Sequence, residues 1–184
     1  MPRCKNCNQK FKPIKFLQKY CTENEECIAA FVQSRKSKFE AERKKEQNKQ
    51  TRQQKEALLT KGEWLNLLQK LFNAYIRLRD KDLPCISCGT KKPVKYDAGH
   101  YWATTYSYLR FNEDNVHKQC SKNCNMEKHG NQGEYRIRLI KRIGLERVEK
   151  LDADRHKELH LTIPEIKELI AVYKKKTKDL LQNK

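Results

Sequence analysis

The 184-residue sequence contains no run of about 18 apolar residues, the length that a membrane-spanning helix needs. No membrane role is therefore expected. Its first residues lack the apolar stretch of a secretory signal, so a cytoplasmic location is expected. Apolar residues are scarce at 37%, nearly matched by charged residues at 35%. That leaves little material for one large core and favours one or two small, stapled modules. Negative charge is also short, with 23 Asp and Glu against 41 Lys and Arg and a formal charge of +18. Such an excess points to a polyanionic partner, because clustered cations release counterions from phosphates. Charge alone fits a ribosomal or other RNA-associated protein equally well.

Cysteine is present in quantity. All eight cysteines fall into four close pairs. In a reducing compartment such pairs bind metal more often than they form disulfides. Cys4 and Cys7, with Cys21 and Cys27, predict a structural Zn²⁺ site in an N-terminal module over 1–32. Phe11, Pro13, Ile14, Phe16 and Leu17 are expected to supply its small apolar filling. A segment this short has no sufficient core of its own, so metal would supply the folding energy.

Residues 33–60 change character. From Gln33 to Ala57 nine basic residues face four acidic ones, without Gly or Pro. Good helix formers that are polar all round predict a charged helical linker. It is either a solvated tether or an arm that lies along phosphates, with Arg43, Lys44 and Lys45 as candidate contacts. From Trp64 to Leu78, apolar residues recur at spacings of three and four, which predicts an amphipathic helix. Its apolar face is expected to pack on the cysteine-rich segment that follows.

That segment, residues 85–130, organises the rest. Cys85 and Cys88, then Cys120 and Cys124, predict a second closed, structural Cys₄ zinc site. Val94 to Tyr101 can form a strand carrying His100, and Asn112 to Asn115 a turn. A neutral imidazole can take a proton from water, and a carbonyl from the Asn115 loop could fix its tautomer. A lone histidine is more often an ordinary polar residue. Helix is expected to resume after Cys124, which would put His129 on one face with Asn125. Residues 133–184 predict three helices, with Gly144 closing the first and Thr162-Ile163-Pro164-Glu165 opening the last. The basic run Lys174 to Lys178 at its end is weak evidence for DNA contact, since cations there also suit the helix dipole.

The combined pattern carries a resemblance. Cys-x-x-Cys, Asp-Ala-Gly-His, Asn-Val-His-Lys-Gln-Cys and Cys-Asn-x-x-Lys together resemble the HNH, or ββα-metal, endonucleases. The fold implied is α+β and predominantly helical: a small zinc-stapled, treble-clef-like core over 61–132 flanked by helices, plus the N-terminal zinc finger. The resemblance implies His100 as general base, Asn115 as orienter and Asn125 as a ligand to a catalytic Mg²⁺ or Mn²⁺. Asp97 and His129 are further candidate ligands. Gly99 stands where that family usually places an Asp or His ligand. Arg110, Lys118 and Lys128 are candidate DNA contacts.

A narrower likeness rests on Arg-Leu-Arg-Asp-Lys-Asp-Leu-Pro-Cys-Ile-Ser-Cys-Gly-Thr, Asp-Ala-Gly-His-Tyr, Leu-Arg-Phe-Asn-Glu-Asp-Asn-Val-His-Lys-Gln-Cys and Tyr-Arg-x-x-Leu-Ile-x-Arg-Ile-Gly. With the Cys₄ element and charged arm, these resemble the bacteriophage lambda NinG (Rap) recombination proteins. Within that family, Gly before the His is ordinary. The resemblance implies a structure-selective DNA endonuclease acting on D-loops and Holliday junctions, phage-encoded and working in the bacterial cytoplasm. Other phage recombination proteins would be partners. Two cuts on a symmetric junction suggest a homodimer, joined through the apolar helix at 61–82 or the charged arm. The competing expectations are a non-catalytic zinc-finger nucleic-acid-binding protein and an RNA binder.

Overall fold

The computed structural model describes residues 1–92 and 94–182, so the C-terminal region drawn at 133–184 runs two residues past the described ones. The chain forms two compact units, Met1–Leu59 and Thr60–Lys184. The architecture is α+β and mostly helical.

The first unit is a knuckle leading into one helix. Arg3 and Lys10 make an isolated antiparallel bridge. The Cys4 amide donates to the Gln9 carbonyl at 2.9 Å across the enclosed turn. Asn24 caps helix α1 (Glu25–Ala57) by accepting from the Glu26 amide. Glu25 and Glu26 sit in the first turn, where the helix dipole favours acids. Cys27 is buried, the apolar Ile28, Phe31 and Val32 follow it exposed, and from Gln33 on α1 is polar but for Phe39 and its alanines, as its composition predicts.

The expected apolar filling is one side chain deep. Phe11 is buried among the cysteines, but Ile14, Phe16 and Leu17 are 77%, 94% and 75% exposed. Phe11 follows the bridge directly, and its amide donates to the Pro2 carbonyl, which turns it inward. The residues after it form a turn closed on itself by Gln18, pointing their side chains into solvent.

The second unit begins with α2 (Lys61–Arg79), opened by a capping box between Thr60 and Glu63. Its apolar stripe buries Trp64, Leu68, Phe72, Tyr75 and Ile76. Contrary to expectation, most of this face packs on the last helix, α5 (Ile163–Gln182), and less of it on the hairpin. The cause is a matching stripe of Ile166, Ile170 and Tyr173 on α5. Tyr173 meets Phe72 edge-on at 5.0 Å and Tyr75 at 5.4 Å. Each such buried side chain contributes roughly 1.5–3 kcal/mol. The face of α2 is thus occupied within the chain rather than free for a second copy. Thr162 and Glu165 exchange hydrogen bonds at the start of α5, as the capping pattern predicts.

Between these helices lies a two-stranded antiparallel hairpin, β1 (Tyr96–His100) with β2 (Val116–Cys120), in the register Tyr96↔Cys120 to His100↔Val116. Its 15-residue connection contains a 3₁₀ turn at Ser107–Leu109. After β2 comes a π-helical turn, Ser121–Met126, which already contains Cys124. Helix thus resumes earlier than expected, and only for one turn. Then follow α3 (Gln132–Ile143) and α4 (Leu145–Asp154), separated by Gly144 at φ 89°. The Gly144 amide donates to the Ile140 carbonyl, closing α3 as predicted. Ile86, Tyr101, Leu109, Tyr135, Leu139, Val148 and Leu151 form the core between the hairpin and these two helices.

Candidate functional site

The eight cysteines gather into the two predicted tetrads. In Cys4, Cys7, Cys21 and Cys27, and again in Cys85, Cys88, Cys120 and Cys124, all four sulfurs lie within 4.8 Å of one another. A tetrahedral ion with zinc–sulfur bonds of about 2.3 Å sets its sulfurs about 3.8 Å apart. The observed pairs fit: Cys7–Cys21 at 3.8 Å, Cys85–Cys124 at 3.9 Å and Cys88–Cys120 at 3.7 Å. Both tetrads could hold structural zinc.

Local structure prepares the thiolates. The Cys21 amide donates to Cys4 Sγ, and the Cys120 amide to Cys85 Sγ, each at 3.3 Å. Burial alone would raise the Cys4 and Cys85 thiols. Backbone N–H groups outweigh it and bring them down to about 6 and about 7. Burial and the neighbouring sulfurs push Cys21 and Cys124 up to about 12, the repulsion that a bound cation would relieve. Cys27 sits in the first turn of α1.

His100 ends β1, at the opposite end of the hairpin register from Cys120. Its Nε2 lies 3.1 Å from the Arg110 carbonyl. A carbonyl only accepts, so Nε2 carries the proton and Nδ1 keeps the lone pair. Burial lowers the imidazole's pKa below its ordinary value, partly offset by the Arg110 and Ala98 carbonyls. The ring is therefore neutral at neutral pH, as a proton acceptor must be.

Asn115 is fully buried and fixes the loop that supplies this carbonyl. Its Oδ1 accepts from the Trp102 amide at 2.8 Å, and its Nδ2 donates to the carbonyls of Trp102 and Leu109 at 2.8 and 3.0 Å. Its own carbonyl accepts from the Tyr101 amide. Every one of these bonds holds backbone.

The other candidates separate. Asn125 Nδ2 donates to Asp97 Oδ2 at 3.3 Å, so these two meet. His129 does not share a helical face with Asn125. The π turn stops at Met126, and His129 has φ 46° in an exposed turn. Strand alternation puts Asp97 on the face opposite His100. Among the described residues, the two tetrads are the groups of three or more His, Cys, Asp or Glu with ligand atoms close enough to share an ion.

Gly99, at the expected ligand position, is explained by its neighbour across the sheet. A Cβ there would lie 2.8 Å from Gln119 Cβ and collide with Gln119 Oε1. Gln119 is fully buried, and its Nε2 donates to Ser87 Oγ at 2.7 Å and the Gly130 carbonyl at 2.5 Å. The clamp ties strand, knuckle and the turn after Asn125 together. It leaves Gln119 Oε1 without a hydrogen-bond partner among the described residues.

Comparison with known proteins decides the family. A family model described as "Bacteriophage Lambda NinG protein" matches residues 1–183. The protein called ninG of Escherichia phage lambda is 41% identical over 195 aligned positions, covering 97% of this chain and 92% of its own length. The ninG protein of Salmonella phage P22 is 40% identical, with 97% and 93% covered, and that of Escherichia phage 933W is 37% identical, with 97% and 92% covered. No solved structure matches significantly. The chain belongs to the NinG family.

In this NinG-family chain the expected DNA contacts divide. Arg43, Lys44, Lys45 and Lys128 are exposed. Lys118 is only 6% exposed: its Nζ donates to the Lys81 carbonyl at 2.7 Å and lies over the Tyr96 ring. It is committed to the fold and is corrected as a DNA contact. Arg110 is partly buried, with Nε donating to Gln69 Oε1 at 2.8 Å.

Sequence reasoning missed a buried charge cluster behind the NinG-family hairpin. Asp80, at the C-terminal cap of α2, is 2% exposed. Its carboxylate accepts from Arg79 at 2.7 and 3.0 Å and from the Lys118 amide at 3.0 Å. His117 Nδ1 is 3.2 Å away, and Arg142 forms an ion pair at 3.7 Å. Burial raises Asp80, but His117 and Arg79 hold its carboxyl well below the usual carboxylate range. One signal was available. An acid at a helix C-terminus opposes the dipole, so its presence there calls for cationic partners.

Proposed function

We propose that this NinG-family protein is a metal-dependent endonuclease acting on branched DNA in the bacterial cytoplasm. The observation that carries this reading is His100, held neutral with Nε2 fixed on the Arg110 carbonyl by a loop that Asn115 locks. Nδ1 of His100 is the proton acceptor for a water attacking a phosphodiester, a role worth roughly 10²–10⁴ in rate. Asp97 offers a carboxylate, and Asn125, whose Nδ2 donates to that carboxylate, would offer its amide oxygen on turning the amide over. That donor set suits Mg²⁺ or Mn²⁺ completed by water and phosphate, and such an ion supplies charge stabilisation at the scissile phosphate. The tetrads fix the frame and keep no open ligand position. The charge of +18 supplies sequence-independent phosphate affinity. D-loops and Holliday junctions are the proposed substrates, cut by a homodimer alongside other phage recombination proteins.

A second reading, a non-catalytic zinc-finger nucleic-acid-binding protein, is favoured by the placement of Asp97 across the strand from His100. One experiment separates them: zinc-loaded protein with linear, flap, D-loop and four-way DNA, with Mg²⁺ or Mn²⁺. Nicking by wild type, lost in His100→Ala at unchanged binding and zinc content, supports the nuclease. Absence of nicking with either ion leaves the binding protein. Equal affinity for structured RNA would point to an RNA binder.

A further inference from the structure

The turn between Cys7 and Cys21 is the feature that the proposed function leaves unused. It presents Ile14, Phe16 and Leu17 to solvent, with Phe16 94% exposed at its apex. Exposed apolar groups clustered this way on a small module mark an interaction site.

The display is built. Gln18 Oε1 accepts from the Ile14 and Lys15 amides at 2.8 and 3.3 Å, and Gln18 Nε2 donates to the Tyr20 carbonyl at 2.8 Å. The Gln18 amide closes the turn onto the Lys15 carbonyl at 3.2 Å. The Lys5 amide ties its far end to the knuckle through the Lys19 carbonyl at 2.8 Å. Leu17 is held at φ 60°, a left-handed conformation that a bulky residue adopts only when its surroundings impose it. Both ends of the turn lead to sulfurs of one tetrad, so a bound metal would anchor it.

The chemistry around the turn selects the ligand. Arg3, Lys5, Lys10, Lys12, Lys15 and Lys19 are all exposed, and no acidic residue precedes Glu23. Apolar and cationic residues alternate across the tip, as a surface meeting bases and phosphates together requires. A stable protein interface needs about 800 Å² per partner, more than one turn supplies. An opened base step needs one aromatic ring, one or two apolar neighbours and a few phosphate contacts.

We propose that the Ile14–Leu17 turn is a wedge that places Phe16 against unstacked bases at a DNA branch point, with the surrounding lysines on the flanking phosphates. This rests on branched DNA as the partner, but not on cleavage.

The test uses full-length, zinc-loaded protein and a four-way junction carrying 2-aminopurine beside the branch point. Wild type should raise the fluorescence as the base unstacks. Phe16→Ala should remove most of that rise and weaken junction binding roughly tenfold. Linear duplex affinity should stay within about twofold, with unchanged zinc content and circular dichroism. Phe16→Trp should restore both signals. The wedge is overturned if wild type binds without unstacking, or if Phe16→Ala weakens linear and branched DNA equally or neither. Failure to bind branched DNA, or equal preference for structured RNA, overturns it too. Cleavage on the same samples keeps the two proposals apart: unstacking without cutting sinks only the nuclease, and cutting without Phe16-dependent unstacking sinks only the wedge.

Discussion

The two tetrads repeat one sulfur geometry in two different settings. In Met1–Leu59 the buried residues around the sulfurs amount to Phe11 and the cysteines themselves, with Tyr20 partly buried against them. In Thr60–Lys184 the tetrad lies beside a core with three tyrosine or isoleucine anchors, Ile86, Tyr101 and Tyr135, and a second apolar layer between α2 and α5. The first site is the module; the second clamps a hairpin that other contacts also hold. A metal ion can therefore do two jobs in one chain, decided by how much apolar surface the neighbouring sequence can bury.

Zinc removal should expose that difference most strongly. Chelation, or Cys4→Ser, should unfold residues 1–23 outright, since structural zinc in such modules contributes roughly 10 kcal/mol or more. Cys85→Ser should loosen the knuckle and hairpin but leave α2 and α5 paired. Amide resonances or hydrogen exchange across the two helices would decide it, and collapse of the α2–α5 protection sinks the distinction. Next in size is Asp80→Ala. It leaves Arg79 and Arg142 facing each other in a buried site and should cost about 3–5 kcal/mol in denaturant unfolding of the second unit. The first unit has no such buried pair among the described residues, so its zinc affinity should not change. A cost below about 1 kcal/mol would mean that water already reaches Asp80.

What was legible in the sequence follows from how local each cause is. Paired cysteines carry their own chemistry, so both tetrads could be assigned from spacing. The capping box at Thr162 and the stop at Gly144 are equally local. The roles expected of His100 and Asn115 came chiefly from family resemblance, and the sequence did not single out Arg110 as the residue whose carbonyl meets His100 Nε2. Three things depended on the third dimension. Ile14, Phe16 and Leu17 have the composition of a filling, and only the Gln18-braced turn shows them facing out. His129 loses its helical relation to Asn125 because the π turn ends three residues earlier. Gly99 is forced by Gln119, twenty residues away, which becomes its neighbour only through strand register.

Single methyl groups should also separate the units. Gly99→Ala drives a Cβ into Gln119 and should cost about 1–3 kcal/mol, because the Ser87–Gln119–Gly130 clamp leaves no slack. Removing the whole ring in Phe16→Ala should change stability by no more than about 0.5 kcal/mol, since that ring buries almost nothing. Paired thermal unfolding of these variants tests the contrast, and a larger loss from Phe16→Ala reverses it.

Acid gives the smallest expected difference. All five histidines lie in the second unit. His100 and His117 are both pushed below the ordinary value of 6.5, chiefly by burial; for His117 the Asp80 carboxylate opposes this and the Arg79 charge adds to it. His117 Nδ1 lies between Arg79 Nη2 at 2.9 Å and Asp80 Oδ2 at 3.2 Å, and Nε2 lies 3.2 Å from the Asp114 carbonyl. Above pH 6.5 both rings are neutral folded or unfolded, and neither affects stability. As pH falls through 6.5 the unfolded chain takes up protons that the folded chain refuses, so the second unit loses stability until the folded values are reached. The check is a ring-proton titration by NMR of zinc-saturated protein. Midpoints for His100 and His117 should fall below 6.5; a midpoint at or above 6.5 for His100 would remove the neutral base on which the proposed chemistry stands.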